Sequence, residues 1–251
     1  MAAGARDLRV VVNADDLGLS PAVNDAIFAA IDAGRVTSAT MLVNGDAFED
    51  AVRRSRKYPH CSFGVHLNLT QFAPLSAAAA SSPLVGDGGV LSSKWREGRL
   101  TGALRRAARA EFAAQIERAT AALGSISHVD SHHHVHTLPA LFPALAAVVW
   151  RYGVRRVRLS RNHYEPAKAP GPALLLKKYA WNRALRWGLR VRTTDCFTDL
   201  ATFAAAPIAG GVVELMVHPG HPSYAAENDI LAGDWPAHCP AQISMIGYDQ
   251  V

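Results

Sequence analysis

The 251-residue chain is poor in cysteine. Cys61, Cys196 and Cys239 are widely separated, none sits in a CxxC pair, and an odd number cannot all pair. That excludes a disulfide-stapled fold and a thiolate metal site, and points to a reducing, cytoplasmic setting. Long hydrophobic runs are missing too: with no stretch of eighteen or more apolar residues, no transmembrane helix is expected. The start, MAAGARDLRVVVNADD, has neither the apolar stretch nor the small-residue cleavage site of a secretory leader. Acidic residues are scarce in one region. Residues 151–192 hold twelve Lys and Arg against Glu165 alone, in a chain of net charge +5. Such a segment could meet nucleic acid, a membrane surface or an anionic substrate. The plainer reading is a set of solvated helical faces. The stretch KKYAWNRALRWGLRVR interleaves Trp181 and Trp187 with the cations, which keeps an interfacial role open.

What the chain does have is enough apolar residues, 49%, to bury a full core. Strand-like and helix-like segments alternate. LRVVVNADD reads as a buried strand ending in charge, and SPAVNDAIFAAIDAG as a helix with Ser20 as N-cap and Pro21 at its first position. VTSATMLVN (strand), GDAFEDAVRRSRKYP (helix) and SFGVHLNLT (strand) follow. Residues 71–100, rich in Ala, Ser, Gly and Pro, read as a long loop or lid. LTGALRRAARAEFAAQIERATAALG is an amphipathic helix, TLPALFPALAAVVWRYG another helix, and VRRVRLSRN and GVVELMVHPG read as strands. Repeated β–α units without an internal repeat or linker predict one α/β domain over 1–251, with a parallel sheet or barrel.

Five of the eleven histidines, and an aspartate, fall within HVDSHHHVH at 128–136. Valines interrupt the run, which does not sit at a terminus, so it is no purification tag. Four polar clusters directly follow apolar strands: Asp15-Asp16, His66, Asp130 to His136, and His218. In α/β folds the carboxyl ends of parallel strands share one rim, so these clusters would converge there. If 130–136 stays extended, Asp130, His132, His134 and His136 share one face. Asp-plus-His sets suit a divalent ion with open positions for water. Taken singly, each has a plainer explanation: Asp-Asp pairs cap helices, lone histidines satisfy buried hydrogen bonds. His60, His163 and His238 have no such context and read as surface residues. Asp15 and Asp16, being neighbours, would face opposite ways in a regular strand; both reach one site only if the strand ends in a bulge or turn.

NADDLGLS (13–20), VTSATMLVNG (36–45), GVHLNLT (64–70), HVDSHHHVH (128–136) and ELMVHPG (214–220) together resemble the YdjC/ChbG family of carbohydrate deacetylases, in the family's order and spacing. QISMIGYDQV resembles its last strand. The resemblance implies an irregular (β/α) barrel related to the polysaccharide deacetylases and a metal-dependent hydrolase that removes acetyl groups from N-acetylated sugars; some relatives are associated with hopanoid biosynthesis. It implies one divalent ion, Mg²⁺ or Zn²⁺, on Asp16, His66 and His132, with Asp15 as general base and His218 as general acid. Arg158 corresponds to the barrel arginine that orients the base, while Asp130 and His134 or His136 would orient ligands from behind or meet substrate. The chemistry suits these residue types, since amide hydrolysis needs an activated water, a stabilised oxyanion and a proton for the leaving nitrogen. The expected partner is an N-acetylated sugar or sugar conjugate, with no nucleic acid; peripheral membrane contact and a homodimer are compatible with it. Two rivals come from other classes: a phosphoesterase on the same barrel, and a non-catalytic metal- or nucleic-acid-binding protein.

Overall fold

The structure, a computed structural model, describes residues 7–251. The reading of the first six residues as free of a leader lies outside the described residues.

Seven strands are paired in parallel. They are β1 (Leu8–Leu17), β2 (Ser38–Met41), β3 (Ser62–Leu67), β4 (Val129–Ser131), β5 (Cys196–Asp199), β6 (Gly211–Val217) and β7 (Ile243–Met245). Six lie in the order β4-β3-β2-β1-β6-β5. β7 pairs with the first residues of β1, Leu8 to Val10, while β2 pairs with its last, Asn13 to Leu17. The carboxy-terminal segment thus wedges into the bottom of the sheet, where β1 and β2 splay apart. The helices between the strands are α1 (Pro21–Asp32), α2 (Phe48–Ser55), α3 (Ala77–Ala80), α4 (Gly102–Leu123), α5 (Phe142–Arg151), α6 (Pro172–Arg183), α7 (Leu200–Ala205) and α8 (Ala225–Ala232). This is the α/β order expected of βα units, with a parallel sheet curled into a half-barrel.

Local chemistry fixes these elements. β1 is buried nearly throughout, as a parallel strand covered on both faces must be. Ser20 Oγ accepts from Val23 N at 3.3 Å and Pro21 occupies the first turn, so α1 starts where the sequence places it. Thr101 caps α4 in the same way.

Two expectations are corrected. Residues 154–162 do not form a full strand. Val157 bridges Val129 and Arg156 bridges Arg192, so this segment spans the gap between β4 and β5 by single contacts. Four arginines here bring charge to a run that needs uninterrupted apolar residues for a buried ladder. Nor is 71–100 a loose lid. α3 and short 3₁₀ turns fold it down, Leu84, Leu91 and Trp95 are buried, and Trp95 Nε1 donates to Leu69 O at 2.9 Å. Among the described residues no helix is long and apolar enough to cross a membrane.

Candidate metal centre and its flanking acid and base

The rim of the half-barrel gathers Asp15, Asp16, His66, Asp130, His132, Arg158 and His218, all buried. The first device is a bulge. Ala14 pairs with Ala39 and Leu17 with Met41, so Asp15 and Asp16 together oppose the single residue Thr40. Asp16 sits at φ 68°, a left-handed conformation that costs about 1–2 kcal/mol for a non-glycine residue. It turns the second carboxylate onto the same side as the first. Close packing holds the turn: a Cβ on Gly45 would lie 2.3 Å from Gly18 O, so only glycine lets the two loops meet.

The second device ends the histidine alternation. After Ser131 the chain leaves the strand, with His133 and His134 at φ 50° and 54°. The expectation of one extended face carrying Asp130, His132, His134 and His136 is therefore corrected: only His132 of the three histidines reaches Asp16. His133 Nδ1 meets Thr70 Oγ1 at 2.9 Å, and His134 packs edge-on against Phe197. His136 lies behind the rim, donating Nε2–H to Arg158 O at 3.1 Å and accepting from Ser131 Oγ. Burial holds the pKa of His134 down at about 3 and that of His136 well below the ordinary value, so both are neutral.

His66 Nδ1 donates to Asp130 Oδ1 at 2.7 Å, which aims Nε2 at Asp16 Oδ1, 3.3 Å away. His132 Nε2 donates to Gln71 Oε1 at 3.1 Å, which aims Nδ1 at the same oxygen at 2.8 Å. Asp16 Oδ1 is buried and, among the described residues, has no hydrogen-bond partner of proper geometry. Two imidazole nitrogens and a carboxylate oxygen converge here within 4.8 Å of one another, a ligand set that a divalent cation would satisfy on displacing the proton of His66. The carboxylates dominate the electrostatics of this pocket. Burial would lower His66, but Asp130 and Asp15 outweigh it and raise its pKa to about 10. A second set, Asp15, His66 and Asp130, is equally compact, yet the Arg158 guanidinium fills it.

Arg158 is fully buried among three carboxylates. It donates to Asp15 Oδ1 and Oδ2 at 2.6 and 2.7 Å, to Asp130 Oδ2 at 2.7 Å, and through Nε to Glu214 Oε1 at 2.6 Å. Against the cost of burial, Arg158 and His66 hold Asp15 well below the usual carboxylate range. Asn13 Nδ2 also donates to Asp15 Oδ1, at 2.9 Å. Oδ1 therefore has both lone pairs engaged, while Oδ2 keeps one free and stands 4.0 Å from His66 Nε2. Across the rim, Glu227 Oε1 accepts from both the backbone N and Nδ1 of His218, at 2.6 and 3.2 Å. Burial pushes His218 down, but Glu227 and Asp15 more than compensate and raise its pKa above the ordinary histidine value. Tyr224 stacks on its ring at 3.9 Å.

The sequence model of the YdjC-like protein family matches residues 9–242. The chain belongs to the YdjC-like family. Among its relatives, a carbohydrate deacetylase of Mus musculus is 35% identical over 86% of this chain and 79% of its own length. Carbohydrate deacetylases of Geobacillus stearothermophilus and Brevibacillus brevis are 39% and 38% identical over 62% and 59% of this chain. The chain spans only 62% and 58% of the lengths of those two bacterial relatives. A solved structure from Enterococcus faecalis V583, described as a candidate cellobiose-phosphate cleavage protein, superposes with a TM-score of 0.76 at 22% identity, covering 97% of this chain and 98% of that one. It shares the fold.

Several residues of this YdjC-like site escaped sequence reasoning. Thr40 donates to Asp130 Oδ2 at 3.0 Å; Tyr248 donates to Glu214 Oε2 at 3.0 Å. Glu214 carried a signal, a lone acid inside the apolar strand GVVELMV. Thr40, Tyr248 and Glu227 carried none.

Proposed function

We propose that this chain is a metal-dependent carbohydrate deacetylase that hydrolyses the N-acetyl group of an acetylated amino sugar, free or within a conjugate. The observation that carries the reading is the convergence of His66 Nε2 and His132 Nδ1 on the unpartnered Asp16 Oδ1, with Asp15 and His218 on its flanks. The relatives' carbohydrate deacetylase activity supports it. Asp16, His66 and His132 would hold the ion. Two imidazole nitrogens beside one carboxylate suit Zn²⁺ better than Mg²⁺, which prefers oxygen ligands. Bound there, a divalent ion supplies Lewis acidity, polarising the acetyl carbonyl and making an attacking water more acidic.

The chain's own groups handle the protons. Asp15 enters the reaction ionised and takes the water's proton on Oδ2, the oxygen with a free lone pair. Arg158 and Asn13 keep that carboxylate from rotating. His218, protonated because Glu227 and Asp15 favour its cation, gives its Nε2 proton to the departing amine. Acetate and a free amino sugar result. Residues 1–251 act as one domain in this reading.

The test is acetate release from diacetylchitobiose and from N-acetylglucosamine conjugates, with and without added Zn²⁺ or Mg²⁺, and with Asp15→Asn as control. Metal-dependent release that the variant loses supports the assignment. Hydrolysis of phosphate esters in place of acetyl groups would transfer the site to phosphoesterase chemistry.

A further inference from the structure

The basic segment set apart at the sequence level takes an unusual shape. From Gly171 to Lys177 every residue is exposed, so the first half of α6 projects from the body. It carries Leu174, Leu175 and Leu176 at 48%, 37% and 67% exposure, followed by Tyr179 at 59% and, beyond the helix, Trp187 at 62%. Trp181, by contrast, is packed against Phe142 and is not part of this surface, which corrects the pairing of the two tryptophans read from the sequence. The exposed apolar residues sit among Lys177, Lys178, Arg183, Arg186 and Arg190, and no acidic residue occurs between Pro166 and Thr194. The Arg183 guanidinium lies 3.8 Å over the Trp187 ring. A groove of about 410 Å³ opens beside them, lined by Leu159, Leu175, Tyr179 and Trp187.

We propose that α6 and the turn after it form a docking surface for an anionic lipid bilayer. Exposed leucines enter the acyl boundary, aromatic rings settle at headgroup depth, and the surrounding cations meet lipid phosphates. Charge decides between the occupants of this apolar face. A second copy of the chain docked about a two-fold axis would set this cationic surface, in which Asp195 offsets only Arg186 at 3.6 Å, against itself, whereas an anionic bilayer complements it. The placement also bears on substrate delivery. Lys178 Nζ donates to Ser160 Oγ and Arg161 O at 3.3 and 3.2 Å, and Asn182 brackets Ser160 through N and O at 2.9 and 2.8 Å. Ser160 is two residues from Arg158, so the docking helix is fastened to the rim that carries Asp15. An enzyme so placed would meet substrates carried at a membrane surface.

Cosedimentation of the full chain with vesicles of phosphatidylcholine alone, and with about one-third phosphatidylglycerol, tests this. Trp187 emission serves as a second readout. Binding to the anionic vesicles is expected, weakening with salt, with a blue-shifted emission. Lys177→Gln/Arg183→Gln/Arg190→Gln should weaken it about fivefold per charge removed. Leu174→Ser/Leu176→Ser, on a surface where folding is not at stake, should abolish the blue shift. Circular dichroism melts confirm that both variants are folded. Equal binding to neutral vesicles, no binding at low salt, or binding untouched by either variant would overturn the proposal. So would light scattering that shows a dimer dissolved by the leucine changes. Vesicle binding is read without any turnover, so it stands or falls separately from the deacetylase assignment.

Discussion

The guanidinium of Arg158 grips both carboxylate oxygens of Asp15, at 2.6 and 2.7 Å, and its remaining donors reach Asp130 and Glu214. One planar cation thereby joins the group read as base to the carboxylate that orients His66. A fork of this kind cannot be copied by an ammonium.

Arg158→Lys should therefore keep the charge and lose the geometry. Acetate release is expected to fall by about 10²–10⁴, the usual worth of a positioned acid or base. Arg158→Met, which takes the guanidinium away from three buried carboxyl groups and leaves Asp15 and Asp130 with His66 alone, should also lower stability by about 3–5 kcal/mol. Urea unfolding alongside turnover separates the two. A lysine variant with full activity would deny Arg158 a positioning role.

Glu214 should give the protein a measurable pH dependence of stability. Burial raises its pKa from 4.5 to about 7, against the pull of Arg158. The native state thus holds a proton that the unfolded chain releases at lower pH, so stability falls as pH climbs from 4.5 to 7. For a shift of this size the loss is about 3 kcal/mol. Glu214→Gln cannot ionise, and the difference between its unfolding free energy and that of the parent should change with pH across this window. A constant offset would mean Glu214 is ionised throughout, with Arg158 and Tyr248 stabilising the charge.

The alternation of apolar runs and helical periods made the half-barrel legible, because parallel strands buried on both faces leave an unmistakable pattern in LRVVVNADD and GVVELMV. The need for irregularity at Asp15-Asp16 was also legible, since two adjacent side chains cannot share a face in a regular strand; the bulge opposite Thr40 supplies it. The fate of HVDSHHHVH was not. Alternation holds only while the backbone stays extended, and no residue type in the run announces that His133 and His134 turn left-handed. Contacts made over long sequence separations were invisible too. Tyr248 reaches Glu214 and stacks on His128 at 3.6 Å only because the last residues are wedged beneath β1.

Ion binding at Asp16, His66 and His132 should release protons. Near neutral pH the metal-free site keeps one on His66, whose pKa stands at about 10, and an ion must displace it from Nε2. Titration calorimetry with Zn²⁺ in buffers of different ionisation enthalpy should count about one proton at pH 7, with apparent affinity rising as pH rises. Asp130→Asn, which weakens the hold on His66 Nδ1, should cost about 10–100-fold in affinity while leaving all three ligands in place. A pH-independent affinity would place the ion elsewhere.

His218 offers the sharpest check on the acid, because its partner can be changed without touching it. Glu227 bonds its Nδ1 and its backbone N, and together with Asp15 keeps the imidazolium favoured despite burial. Glu227→Gln removes the charge and retains an acceptor, so the folded-state pKa of His218 should fall. If His218 donates the proton to the leaving amine, the alkaline limb of the kcat profile must move to lower pH in this variant, with the acidic limb unmoved. His218→Asn should lower kcat by about 10²–10⁴ and abolish that limb. Glu227→Gln has a second consequence with the opposite pH signature. A raised histidine pKa stabilises the native state fully below pH 6.5 and loses that contribution as pH climbs through the folded value. The stability gap between parent and variant should thus be widest in mild acid and close toward alkaline pH. A shifted stability curve with an unshifted kcat limb would make Glu227 a structural partner only and leave the proton donor to be sought among other groups at the rim.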